Sequence, residues 1–574
     1  MSDTDVNQRV EVERKMILAA ADKGGMAKAK TYAKLAGPGW LQSAITLGGG
    51  SLAGALFLGV IGGYSMLWVQ LLAMIMGVVM LAAISYVTLS TGKSPFREIR
   101  DHINPVLAWG WLLASLAANM VWVLPQYSLA YGAVTENLFP NMFASSEARE
   151  AVSSKLMVSI PIFIIVTAIT FFYGSKGKGI KIYEAVLKTI VALIVLSFMG
   201  VVIKMAGSLE WGKIFAGFIP NFGHWFNPSV SLQAELNNIS NEAARGFWTG
   251  VVVDEQRARI IAAASAAVGI NMTFLLPFSM LAKKWDRDFR GLAIFDLSTG
   301  LIIPFIIATS CVVLAASASF HAKPFEGVLA GEPGAYTINA DAGKPAQDLQ
   351  KKIDKRNADE KLAGVAVESA ELKIGAMLLP RSNAQLATSL QTLTGSEGVA
   401  NKVFGFGVLA MAMSTISLLM LISGFCVCEA GGFPHGGKQH KIGTLLASTG
   451  LLWPLLWTGS SKAYLAVPVA TFGYVLLPIA FLTFLLMMNS KRVLGDNRPE
   501  GGKLVLWNVL MGVSLVITGY AALTTGWAKK LKIGEGGAQT EIAFGKWAII
   551  IFVVLTAVGF FLRKPHKDTS ASEA

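Results

Sequence analysis

Apolar stretches of about 20 residues recur along this chain from Gly37 to Leu562, each long enough to cross roughly 30 Å of hydrocarbon as a helix. In lipid, such a segment satisfies its own backbone by becoming a helix. Twelve spans are expected, at about 38–62, 65–90, 106–134, 156–173, 182–206, 258–282, 291–317, 402–427, 440–457, 463–489, 504–526 and 543–562. Of the 574 residues, 53% are hydrophobic and 15% charged, which excludes an ordinary soluble domain. The expected class is an all-α membrane protein with about twelve transmembrane helices and the lipid bilayer as its partner. The first 36 residues are polar and alternate in charge, so they read as a cytosolic helix rather than a cleaved secretory signal.

The net charge of +13 suggests nucleic acid until its distribution is examined. Lys and Arg gather in the N-terminal segment and in alternate loops: Lys93, Arg97 and Arg100; Lys176, Lys178 and Lys181; Lys283, Lys284, Arg287 and Arg290; Lys438 and Lys441; Lys491, Arg492, Arg498 and Lys503; Arg563, Lys564 and Lys567. Twelve spans put all of these on one side. The positive-inside rule makes that side cytoplasmic, with both termini inside the inner membrane and no nucleic-acid partner. Lys529, Lys530 and Lys532 dissent, in a short loop expected outside. None of Cys311, Cys426 and Cys428 lies in an outer loop, so no disulfide framework is expected.

The expected organisation is a cytosolic segment (1–36), five spans (37–206), an outer connector (207–257), and five more spans (258–490) with an outer insertion at 318–401. Two further spans (491–562) and a cytosolic tail (563–574) follow. The insertion carries Asp348, Lys351, Lys352, Asp354, Lys355, Arg356, Asp359 and Glu360, a run that fits a solvated helix in a small cap.

Two spans are interrupted, and they open the successive groups of five. The first contains Thr46-Leu47-Gly48-Gly49-Gly50-Ser51, where each glycine costs a helix about 1 kcal/mol relative to alanine. The sixth contains Gly269-Ile270-Asn271-Met272-Thr273-Phe274-Leu275-Leu276-Pro277-Phe278-Ser279, where Pro277 removes an intrahelical donor. Matched interruptions in two halves are the sequence mark of an inverted repeat with a transport site at the membrane midplane. Exposed carbonyls and half-helix ends hold an ion or zwitterion there. Close packing through Gly54, Gly59, Gly62 and Gly63, and a plain kink at Pro277, are the competing explanations.

Several stretches resemble the Nramp family of divalent-metal transporters: Gly37-Pro38-Gly39-Trp40, Tyr183-Glu184-Ala185, Leu477-Pro478-Ile479-Ala480, Asn489-Ser490-Lys491-Arg492-Val493-Leu494-Gly495, and Asn508. The resemblance runs from Gly37 to about residue 526. It implies an inverted five-plus-five repeat with broken first and sixth helices, alternating access, and here two additional C-terminal helices. The family's Asp-Pro-Gly-Asn, which supplies metal ligands, is replaced by Gly48, Gly49, Gly50 and Ser51. Its Met-Pro-His is set against Leu276, Pro277 and Phe278, and the acidic residues of its third helix against Gln126 and Leu129.

A dehydrated transition metal or Mg²⁺ in such a neutral site leaves much of its charge uncompensated. Three readings stay open: a cation, led by a hydrated divalent one, carried with altered selectivity; a small organic solute; and a non-transporting membrane sensor or scaffold. The expected substrate-binding residues are Thr46, Gly48, Gly49, Gly50, Ser51, Gln126, Asn271, Thr273, Leu276, Pro277, Phe278 and Ser279. Asp296 is the coupling candidate, since an intramembrane carboxylate is functional by default, although pairing with the basic loop at Arg290 explains it equally well. Without the family's acidic residues, facilitated diffusion is a simpler expectation than proton symport. Cys426, Cys428, His435 and His440 have poor metal-ligand spacing and read as packing. Neither a Gly-x-x-x-x-Gly-Lys-Ser/Thr loop nor a hydrolytic triad occurs, so no enzyme, ATP-driven step or cofactor is expected.

Overall fold

The structure, a computed structural model, describes residues 3–21, 23–35, 46–143, 145–171, 178–527, 529, 531–533 and 540–562. Its principal helices are α1 (Gly49–Gly62), α2 (Leu67–Thr91), α3 (Pro105–Gly132), α4 (Val152–Phe171), α5 (Lys178–Met205), α6 (Glu242–Ala267), α7 (Ile270–Ala282), α8 (Arg290–Phe320), α9 (Glu397–Gly431), α10 (Ala466–Asn489), α11 (Gly501–Trp527) and α12 (Phe544–Gly559). All twelve expected spans contain helix. Expected features at Gly37-Pro38-Gly39-Trp40, and the start of the first span, lie outside the described residues.

Eight helical stretches among the described residues are long and apolar enough to cross a bilayer, fewer than the spans expected. Part of the difference is merging: α1 and α2 run on as one stretch, 49–91, interrupted at Gly63 (φ 57°). The ninth span is also irregular. It comprises a helix over Lys438–Thr444, a 3-10 segment over Leu445–Leu452 and a last turn over Trp453–Leu456. Pro454 starts that turn, and Gly450 presses so closely on Tyr127 that an added Cβ would lie 2.4 Å from the ring. α12 has only 16 residues.

Local signals set several ends. Asn104 caps α3 by accepting from the amides of Val106 and Leu107, with Pro105 at the first helical position. α2 and α9 each end on a left-handed glycine, Gly92 (φ 65°) and Gly432 (φ 68°).

The packing follows a pseudo-twofold relation between the two groups of five. α1 packs on α8 as α6 and α7 pack on α2. α3 packs on α10 as α9 packs on α5, and α3 meets the 445–452 segment as α9 meets α4. The pairs α1–α6, α2–α8 and α3–α9 are their own counterparts. α11 lies against α10 and α2, and α12 against α11 and α3. Close packing does account for some glycines of α1: a Cβ on Gly59 would lie 2.5 Å from the Val313 carbonyl oxygen of α8, and one on Gly54 3.2 Å from Ala263 Cα of α6.

Outside the bundle, the helix Asp3–Ala21 rests on the loop before α8 and the helix Gly25–Leu35 on the start of α8 itself. Arg14 pairs in that loop with Asp286 and Asp288, and Tyr32 meets Phe295 at 5.7 Å between ring centres. The insertion forms the expected helical cap, with helices at Lys344–Asn357, Ser369–Met377 and Asn383–Thr388 and a short hairpin pairing Leu329–Ala330 with Thr337–Ile338. Its anchor is the fully buried pair Arg356–Glu371 at 2.8 Å, where Glu371 also accepts from Trp248 Nε1 of α6 at 2.8 Å.

Candidate functional site

Both helix breaks open onto one cavity. α1 begins after an extended Gly48 (φ −87°, ψ −177°), and α6 gives way to α7 through extended Val268 (φ −146°, ψ 108°) and Gly269 (φ −82°, ψ 158°). The second break therefore lies ahead of Pro277, which the sequence pattern made its cause. Pro277 sits buried inside α7 without ending it. Its missing amide costs α7 one intrahelical bond, a loss that membrane helices commonly tolerate. At Val268 the β-branched side chain fills the space left by Gly77 of α2, where a Cβ would stand 2.2 Å from it.

The cavity measures about 60 Å³. The first break contributes Thr46, Gly48, Gly50 and Ser51, and the second contributes Ser265, Ala266 and Gly269 through Met272. Ala118 and Trp122 of α3, four residues of α9 and Gly473 of α10 complete the wall. The Ser51 hydroxyl joins the two breaks, bonding to the Thr46 carbonyl and lying 3.0 Å from the Ala266 carbonyl. Asn271 turns its amide oxygen to its own helix start, accepting from the Met272 amide at 3.0 Å. The start of α7 presents a partial positive charge and the end of α6 a partial negative one. The described lining holds no Asp, Glu, His or Cys, and its soft atom is the Met272 sulfur.

Gln126 lies beside this lining: a Cβ on Gly49 would stand 2.9 Å from its Oε1. It is fully buried, and neither amide atom has a partner among the described residues. A buried amide in that state awaits water or a polar guest. Thr273 stands one turn behind the cavity, accepting from Trp111 Nε1 at 2.8 Å. Leu276, Pro277, Phe278 and Ser279 are not among the lining residues. Leu276 packs in an apolar cluster, Phe278 stacks on Phe425 at 4.6 Å and meets His435 edge-on at 4.7 Å, and the Ser279 hydroxyl lies 3.4 Å from the Leu275 carbonyl. Asp296 is buried in α8 away from the cavity, where its charge acts on Lys283. Cys428 Sγ and His440 Nδ1 are 3.8 Å apart, and no group of three or more metal-ligating side chains occurs among the described residues.

Sequence reasoning missed Trp122, Ser265, Ala266 and Met272. Trp122 was within reach of it, because residues 119, 122 and 126 share one face of α3 at helical spacing. Gly50 is shaped to that ring: a Cβ there would lie 2.6 Å from Trp122 Cζ2.

Known proteins resemble this chain at two levels, sequence and fold. A family model described as natural resistance-associated macrophage protein-like matches residues 39–332. The divalent metal cation transporter MntH of Brucella suis biovar 1 (strain 1330) is 28% identical over 199 residues, which cover 34% of this chain and 39% of that relative. The manganese transporter of Eremococcus coleocola, solved with an aromatic bis-isothiourea substituted compound, superposes with a TM-score of 0.56 at 11% identity, covering 94% of this chain and 95% of that one. A single-site mutant of the same transporter gives 0.57 at 12% identity over 93% and 94%. At such identities the superpositions speak for the fold.

Proposed function

Because the chain belongs to the Nramp family, whose members are transporters and not enzymes, we propose that it is a secondary transporter that carries a divalent metal cation by alternating access. The cation follows from the family, and the transport route is supported by one observation, a cavity onto which both helix breaks open. A divalent ion stripped of water would find hydroxyls, amides, carbonyls and one thioether there, and no carboxylate to balance its charge. A hard cation that keeps much of its first shell avoids that cost, as Mg²⁺ tends to do. Selectivity thus moves away from soft transition metals, and waters bridge the ion to Ser51, Asn271 and Gln126.

A cavity of about 60 Å³ has room for a few waters. Loading an ion with its shell therefore requires α1 and α7 to move against α3 and α9. With no titratable side chain in the described lining, transport runs down the electrochemical gradient without proton coupling. The protein works in the inner membrane with both termini cytoplasmic. The unpartnered Gln126 amide favours a second reading, a small polar organic solute.

The test is uptake of Mn²⁺, Mg²⁺, Ca²⁺ and Zn²⁺ by reconstituted liposomes, with and without a pH gradient. Uptake of Mg²⁺ that ignores the gradient is expected. Absence of uptake for all four by folded protein would overturn the cation reading.

A further inference from the structure

Two arginines that the transport reading does not use are buried on the insertion side of α6. Arg259, on α6, is 1% exposed and Arg381, in the insertion, 2%. Arg259 Nη2 donates to the Leu378 carbonyl at 3.1 Å, three residues before Arg381, and stands 3.5 Å from Glu255 Oε2. Arg381 Nη2 donates to the Lys323 carbonyl at 2.6 Å. Nε and Nη1 of both arginines have no acceptor among the described residues.

The surrounding charges do not balance. Glu255 Oε1 is engaged by Lys352 at 2.8 Å, while its Oε2 accepts from the Tyr464 hydroxyl at 2.7 Å. The carboxylate is thus shared between Lys352 and Arg259, and among the described residues the acidic charge that acts on Arg381 is that of Glu326. Aromatic faces offset part of the excess, Tyr464 at 5.5 Å from Arg259, and Phe320 and Phe325 at 5.8 and 5.3 Å from Arg381. Ring faces leave the in-plane N–H groups unused. Burial first, and the charge of Arg259 second, push the Arg381 guanidinium down to about 10.

We propose that Arg259 and Arg381 together hold a small inorganic monoanion, chloride in size and charge, between α6 and the insertion. Water would satisfy the idle N–H groups but not the surplus charge, and a buried guanidinium needs both. The anion ties the cap to the helix whose far end forms the cavity: Ser265 lies six residues beyond Arg259, about 9 Å along the axis. Occupancy therefore stiffens the outer side of the site whichever solute crosses.

Thermal unfolding of the full-length protein in detergent tests this, with sodium chloride or bromide titrated against sodium gluconate at constant ionic strength. A saturable rise in Tm with either halide, not with gluconate, and lost in Arg381→Gln, is expected. Equal Tm in all three salts, or a halide effect unchanged in folded Arg381→Gln, would overturn the site. Should that variant not fold, bromide-soaked crystals of the unaltered protein decide: an anomalous peak between the two guanidinium groups supports the anion, and water alone there refutes it.

Discussion

Gln126 and Arg356 are both fully buried and polar, yet only Arg356 has its needs met inside the protein. Arg356 bonds to Glu371 through two nitrogens and to the carbonyls of Val365 and Ala366. Gln126, beside the cavity, has no partner among the described residues. The first is a structural contact, and the second is the group that the proposed solute would meet. Removing one partner of the buried pair strands the other charge, so Glu371→Ala should cost about 3–5 kcal/mol, seen as a lower Tm in detergent. The double variant Arg356→Met/Glu371→Leu should recover much of that loss. Equal unfolding of both variants would show that the loss comes from Trp248, whose indole N–H donates to the same carboxylate. Residue type made Gln126, Ser51 and Asn271 legible as polar groups in apolar spans. Their pairing was not legible, since it depends on partners in other helices.

At the scale of the element, the second break decides which side chains reach the site. Because it lies at Val268–Gly269, Asn271 and Met272 line the cavity while Leu276 packs elsewhere. Gly48→Asp with Ser51→Asn should therefore raise Mn²⁺ affinity roughly tenfold or more, about 1.4 kcal/mol or more, by isothermal calorimetry. Adding Leu276→Met should contribute nothing, and a further gain from it would return that residue to the site. Glu150 joins other elements: it pairs with Lys155 of α4 at 3.0 Å, and with Lys344 of the insertion and Lys462 before α10 at 2.7 Å each. Burial alone would raise its pKa, but the bonds from Lys344, Lys462 and Lys155 outweigh that and hold it at about 2. A carboxylate depressed in the folded state stabilises above its unfolded value near 4.5, and that contribution is lost as pH falls toward 2. Tm should accordingly drop over that window, and Glu150→Gln should be less stable at neutral pH and flatter below pH 4.5. An unchanged acid limb in the variant would assign the loss to other carboxylates.

Across the whole molecule, the pseudo-twofold packing and the loop charges make one further claim about orientation. An impermeant maleimide applied to intact cells should label Lys355→Cys in the cap and leave Arg492→Cys, in the loop after α10, unlabelled until the cells are broken. The reverse pattern would invert the topology. Helical class, the doubled five-span arrangement and the neutrality of both breaks were determined by the sequence itself. Hydrophobic length, glycine content and the absence of carboxylates are local properties, readable without knowing what packs on what. Only the tertiary structure decided that the chain yields at Val268 and holds at Pro277, and that Ser265 and Ala266 belong to the cavity. A helix breaks where its surroundings accept the new path. Gly77, far away in the sequence, makes room for Val268, while α7 runs on through Pro277 at the loss of one intrahelical bond.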